Sequence, residues 1–134
     1  MEPKLALVVE DDQGVGGVYV EALKQAGFTT ELFTNGRAAM ARLAVAVPDI
    51  ILLDLNLPIV SGENVLHAIR SDERLKDTRI IITTGESHRA KELESQADLV
   101  LVKPISATQL SDLAARMVAP GTGPFSKDAP SKSA

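Results

Sequence analysis

The chain has 134 residues, 45% of them apolar and 24% charged, with a net charge of −4 and a pI near 5.1. That length suffices for one domain with a buried core, and the acidic balance argues against a phosphate-backbone binder, which would need clustered Lys and Arg. There is no cysteine, which excludes a disulfide framework or a thiolate metal site and makes the cytosol the expected compartment.

The opening MEPKLALVVEDD places Lys4 before a short apolar run and acids after it, unlike a secretory signal. No apolar run approaches the roughly 18 residues of a membrane span. Leu5–Val9 reads as a buried strand that leads directly into Glu10, Asp11 and Asp12. Val15, Val18, Tyr19, Ala22, Leu23 and Ala26 then recur at helical spacing until Gly27 supplies a stop. A weaker β-like run at Thr29–Phe33 precedes a second helical stripe of Ala39, Met40, Leu43 and Val47 before Pro48. Ile50–Leu53 is the next apolar run and ends at Asp54, within ILLDLNLP; Val65, Leu66 and Ile69 form a third stripe after Gly62. Ile80–Ile82 leads into Thr83 and Thr84, followed by a polar stretch, 86–96, in which Ala90 and Leu93 are the candidates to face inward. Leu99–Val102 leads into Lys103, and Ile105, Leu110, Leu113, Ala114 and Met117 mark a fifth helix with Ser106 as its N-cap. The runs at 5–9, 50–53, 80–82 and 99–102 are continuous rather than alternating, the pattern of strands buried on both faces. The closing VAPGTGPFSKDAPSKSA holds three prolines, two glycines and three serines. It predicts a flexible tail, 120–134, after a domain at 1–119, either ending a stand-alone chain or beginning a linker.

Strand and helix alternating five times imply a parallel sheet with right-handed crossovers and helices on both faces. Ligands of such sheets sit outside the carboxyl ends of the strands, where Glu10, Asp11, Asp54, Thr84 and Lys103 all fall. Each alone has a bland reading: an Asp after a strand is commonly a helix cap, Thr84-Gly85 a turn, Lys103-Pro104 a strand stop. GVGG at 14–17 lacks the spacing and the following Lys of a phosphate loop. His67 and His88 have no partner at metal-ligand spacing and read as solvated. Together, however, the carboxylates form a hard oxygen donor set suited to Mg²⁺. Adjacent acids after a buried strand also require a compensating positive charge, and a divalent cation is the expected one.

The motifs VVEDD, LLDLNLP followed by SG, ITTGE and LVKP resemble, in order, those of the receiver domain of two-component response regulators, over about residues 4–118. The resemblance is to the single-domain, chemotaxis-regulator type. It implies a doubly wound, flavodoxin-like (βα)5 fold whose five parallel strands are ordered 2-1-3-4-5. It implies Asp54 as the phosphoacceptor, Thr84 as the switch hydroxyl and Lys103 as the site lysine. Mg²⁺ would be held by Asp11, Asp54 and the carbonyl of Asn56, with Glu10 acting mainly through water. Asp12 is left as a helix cap, and Lys103-Pro104 is expected to be cis. The implied donor is a phosphohistidine on a histidine kinase or a histidine phosphotransfer protein, with no nucleic-acid or membrane partner. The chain would not be an enzyme beyond its own phosphoryl transfer and autodephosphorylation, with Asn56 and Glu86 flanking the path of the hydrolytic water. One position departs from the family: Val100 stands where an aromatic is usual, three residues before the lysine. Competing readings are a haloacid-dehalogenase-type phosphohydrolase, which would want an acid where Asn56 stands, a flavodoxin-like cofactor carrier, for which stacking aromatics are missing, and a receiver-like interaction module that is not phosphorylated.

Overall fold

The computed structural model describes residues 4–118; the tail expected at 120–134 lies outside them. Strands β1 (Lys4–Val9), β2 (Phe28–Phe33), β3 (Ile50–Asp54), β4 (Arg79–Thr84) and β5 (Leu99–Val102) form one parallel sheet in the order β2-β1-β3-β4-β5. The helices are α1 (Gln13–Gln25), α2 (Gly36–Leu43), α3 (Gly62–Arg70), α4 (Ser87–Leu93) and α5 (Ala107–Met117). A single 3-10 turn, Glu73–Leu75, precedes β4 and was not anticipated, three residues being too few to carry a period.

Side chains alternate across a strand, and the sheet divides two cores accordingly. Leu7, Val9, Ile51, Leu53, Ile80 and Ile82 face α2, α3 and α4. Ala6, Val8, Ile50, Leu52 and Ile81 face α1 and α5, meeting Tyr19, Leu23, Leu110 and Met117. β1, β3 and β4 are thus buried on both faces, which is why their sequences run apolar without alternation. β5 is different: it reads the same way in the sequence but is the sheet's edge strand, half-buried along its length with Val102 exposed.

Four of the five helix starts follow side-chain caps, α4 being the exception. Asp12 accepts from the Val15 N–H at 3.0 Å, Asn35 from Ala38 at 2.8 Å, Ser61 from Asn64 at 3.2 Å and Ser106 from Gln109 at 3.0 Å. α1 ends ahead of Gly27, whose φ of +102° suits a residue without Cβ. Two stripe members are corrected. Val18 is 48% exposed on the outer side of α1, and Val47 is 52% exposed because α2 stops at Leu43. Val47 precedes Pro48, and a residue before proline is pushed out of the helical region. α4 buries Ala90 and Leu93, as their spacing in a polar segment predicts.

Candidate functional site

Alternation also sorts the chemistry at the carboxyl edge of the sheet. Glu10 lies two residues beyond Val8, Asp54 two beyond Leu52, Thr83 two beyond Ile81 and Lys103 two beyond Leu101, all members of the α1–α5 face. Asp54 pairs in register with Thr83, and Thr83 with Leu101. Four strand ends, of β1, β3, β4 and β5, therefore converge on one group of side chains. Lys103 Nζ donates to Glu10 Oε1 at 2.9 Å and lies 3.3 Å from Asp54 Oδ2. Asp54 Oδ1 accepts the Asn56 N–H at 3.2 Å, and Glu10 Oε2 accepts the Asp12 N–H at 3.1 Å. Glu10, Asp11 and Asp54 each offer a carboxylate oxygen within 4.8 Å of the others. The Lys103-Pro104 bond is cis, as expected.

The first compensating charge for the acidic run is therefore Lys103, a partner from the far end of the chain. It is not sufficient. Three carboxylates face one ammonium, and two of them, Glu10 and Asp54, are buried. Burial pushes the Glu10 carboxyl above its usual 4.5, outweighing the bond from Lys103 and the Asp12 N–H, while the Asp54 charge adds to the rise. Burial pulls the Lys103 ammonium down, but its bond to Glu10 and the charges of Asp54 and Glu10 carry it above 10.5. The two directions are compatible because the lysine side chain keeps 28% exposure to water while that of Glu10 keeps 2%. A surplus of buried negative charge among hard oxygen donors fits a divalent cation.

The raised Lys103 ammonium has a consequence for alkaline stability. Its contribution is complete below the unfolded value near 10.5 and is lost as pH rises through the higher folded value. In EDTA, unfolding free energies measured by urea titration should fall through that window.

Thr84 ends β4 and is buried, but its hydroxyl oxygen engages the β4–α4 loop, accepting the Glu86 N–H at 3.1 Å. Its carbonyl accepts the Lys103 N–H at 2.7 Å, tying the ends of β4 and β5 together. Asn56 and Glu86 are exposed at the mouth, with His88 Nε2 3.7 Å from Glu86. His67 and His88 are both exposed, as their sequence context predicts. Two residues escaped the sequence reading as site neighbours: Tyr19, taken as core, and Thr83, passed over for Thr84. An apolar cleft lined by Met40, Leu43, Ile69 and Leu75 lies at the ends of α2 and α3 remote from these groups.

The response regulator receiver domain family matches residues 6–115. The chain belongs to this family. The receiver resembles the transcriptional regulatory protein QseB of Haemophilus influenzae, 37% identical over 116 residues, covering 84% of this chain and 50% of that protein. It is 33% identical over 105 residues to CusR of Escherichia coli strain K12, covering 78% of this chain and 46% of CusR. The chain thus spans about half the length of these curated relatives. Among solved structures, the chemotaxis response regulator CheY4 of Vibrio cholerae superposes with a TM-score of 0.79 at 28% identity, over 87% of this chain and 100% of that one. A receiver of a Luxo repressor protein from Vibrio parahaemolyticus gives 0.77 at 32% identity, over 87% and 89% of the two chains. No helix of the described residues is long and apolar enough to cross a membrane.

Proposed function

We propose that this receiver is a phosphoacceptor of a two-component or phosphorelay system, with Asp54 as the acceptor and a phosphohistidine on a histidine kinase or phosphotransfer protein as donor. The observation that carries this reading is the placement of one buried strand-end carboxylate, Asp54, between the Lys103 ammonium and the Asn56 N–H, beside two further acids. An Asp54 carboxylate oxygen attacks phosphorus, and the phosphorus–nitrogen bond breaks with its electron pair returning to the imidazole. The product is an acyl phosphate. Such transfer passes through a loose transition state with charge spread over the equatorial oxygens, so the protein's work is positioning and charge stabilisation.

Each residue has a part in that work. The Asn56 N–H holds Asp54 Oδ1 and thereby orients the carboxylate. Lys103, on Asp54 Oδ2, is placed to follow the charge onto a phosphoryl oxygen. The Thr84 hydroxyl, one residue beyond the register partner of Asp54, takes a second oxygen by drawing in the β4–α4 loop. Asp11, Asp54 and the Asn56 carbonyl would hold Mg²⁺, with Glu10 acting through water; the ion supplies neutralisation of phosphoryl charge. Asn56 and Glu86 flank the mouth through which hydrolytic water reaches the phosphate. The amide at 56 is what disfavours a haloacid-dehalogenase-type hydrolase, which needs an acid there. The partner surface is that of a protein, in keeping with the chain's acidic balance; the cytoplasm is the proposed compartment, and residues 1–119 are assigned to the receiver domain.

Incubation with acetyl phosphate and Mg²⁺ should add one phosphate, read by intact mass, and Asp54→Asn should take up none. Unmodified parent protein under these conditions would favour an interaction module that is not phosphorylated. Asp11→Ala removes a carboxylate that is exposed and carries no fold contact. It should weaken Mg²⁺ binding by roughly 10-fold or more, since each direct carboxylate is a large share of such a site. Unchanged affinity by titration would remove Asp11 from the ligand set.

A further inference from the structure

Val100 leaves β5 without the ring usual at that position, yet the chain's single tyrosine is buried on the opposite face of the sheet. Tyr19 is 3% exposed and sits about two turns into α1. Helical side chains lean toward the N-terminus of their own helix, and α1 is capped by Asp12, beside the acidic cluster. That lean runs toward the site end of the helix, and Tyr19 packs in one cluster with Val8, Leu52 and Ile81, each two residues before Glu10, Asp54 and Thr83. Its electrostatic surroundings agree: burial raises its ionisation above 10.0, and Lys103, Glu10 and Asp54 all act on it.

Thr83 supplies an independent observation. It is fully buried, stands next to Asp54 in register on the same sheet face, and its Oγ1 has no hydrogen-bond partner. Among the described residues it is the one buried side-chain polar atom so left. As a strand residue in an apolar core, valine would fill the same volume without the cost of a desolvated hydroxyl. Packing accounts for the shape of Thr83 but not for its oxygen.

We infer that Tyr19 and Thr83 are positioning residues that couple the charge at Asp54 to the α1–α5 layer. The inference rests on the proposed phosphorylation of Asp54. A phosphoryl group adds about −1.5 to −2 charges to a face where Lys103 already bridges Glu10 and Asp54. Lys103 must then redistribute its bonds, and both hydroxyls can turn, being donor and acceptor at once. Thr83 gains a partner it lacks in this state. Tyr19 packs in one cluster with Leu110, Ala114 and Met117 of α5, so a change at its ring is felt in both helices. The output of this receiver is thereby carried on the α1–α5 side of the sheet, which needs no aromatic at position 100.

With one tyrosine and no tryptophan, intrinsic emission reports Tyr19 alone. The full chain is titrated with Mg²⁺, then with acetyl phosphate, and emission and intact mass are read on the same samples. A change in Tyr19 emission should appear with the phosphate mass, beyond any change from Mg²⁺ alone, and be absent in Asp54→Asn. Thr83→Val should still gain the phosphate yet lose about half or more of the emission change, because the hydroxyl network is cut. Thr83→Ser, which restores the oxygen, should recover it. Amide exchange in α1 and α5 should respond to phosphorylation in the parent and fail to do so in Tyr19→Phe. Phosphate by mass with unaltered Tyr19 emission, or a Thr83→Val response equal to the parent's, overturns the inference. Absence of phosphate in the parent overturns the phosphoacceptor reading and this inference with it, and the mass separates the two failures.

Discussion

Replacing Lys103 with methionine should destabilise the metal-free protein by about 2–3 kcal/mol and slow phosphoryl uptake by roughly 10²–10³-fold. The stability loss comes from the partners left behind. Glu10 and Asp54 are buried, and Lys103 is the ammonium that bonds them both. Breaking one side of a fully buried charge pair costs about 3–5 kcal/mol; the 28% exposure of the lysine side chain lowers the figure here. Methionine keeps most of the aliphatic stem, so packing changes little. The acids have an escape, since Glu10 is already held above its usual range by burial and can take up a proton. The loss should therefore shrink as pH falls through the carboxylate range and stand in full near neutrality. Added Mg²⁺ should return part of it by replacing the missing positive charge. The rate loss has a separate origin, because an ammonium aimed at developing charge acts mainly in the transition state. Urea unfolding in EDTA and with Mg²⁺, together with the rate of mass increase in acetyl phosphate, measures both. Equal stability of the two proteins in EDTA would mean that water, not Lys103, balances the acids.

What the sequence made visible follows from what burial does to composition. β1, β3 and β4 have helices on both faces, so their apolar runs are continuous and hard to miss, and the residues that break those runs form the candidate site: Glu10, Asp54 and Thr83-Thr84. The rule misjudged β5, where LVLV reads as another buried strand although it lies at the edge. A run of four residues does not record how many neighbours it has. Val47 was misassigned for a related reason, since helical spacing continues on paper past Leu43, where α2 ends. Within the site, strand-end position was legible and pairing was not. The bond from Lys103 to Glu10 spans 93 positions of sequence, and no local pattern encodes which acid a distant lysine will choose. Tyr19 was indistinguishable from core because it is core. Thr83 and Thr84 are neighbours of the same type, and strand alternation, available once the register is known, assigns them to opposite faces.

Gly62→Ala should be the most disruptive single methyl addition near the site, costing about 3 kcal/mol or more. A Cβ at Gly62 would clash with the Asp54 carbonyl oxygen and lie 2.7 Å from Leu55 Cα and 2.8 Å from the Leu55 carbonyl oxygen. All three are backbone atoms, so no rotamer change relieves the clash. The approach is that close because α3 begins directly against the end of β3: the Gly62 N–H donates to the Leu55 carbonyl at 3.1 Å, and the Ser61 cap sets the helix start. The helix therefore buttresses Asp54, the proposed acceptor, through the main chain. Admitting a methyl group means moving either α3 or the Asp54–Asn56 segment, and the latter carries the Asp54 carboxylate proposed as acceptor and the N–H bonded to it. A displacement of about 1 Å at reacting groups can cost roughly 100-fold in rate, so phosphoryl uptake should fall along with stability. Gly17→Ala supplies the contrast. It lies exposed in the middle of α1 with nothing within 4 Å of its would-be Cβ, and alanine there should stabilise by about 0.5–1 kcal/mol. Paired urea unfolding curves and acetyl phosphate time courses for the two variants distinguish a steric role at Gly62 from a general glycine effect. If Gly62→Ala matched the parent in stability and rate, the buttress would have to be softer than the backbone contacts imply.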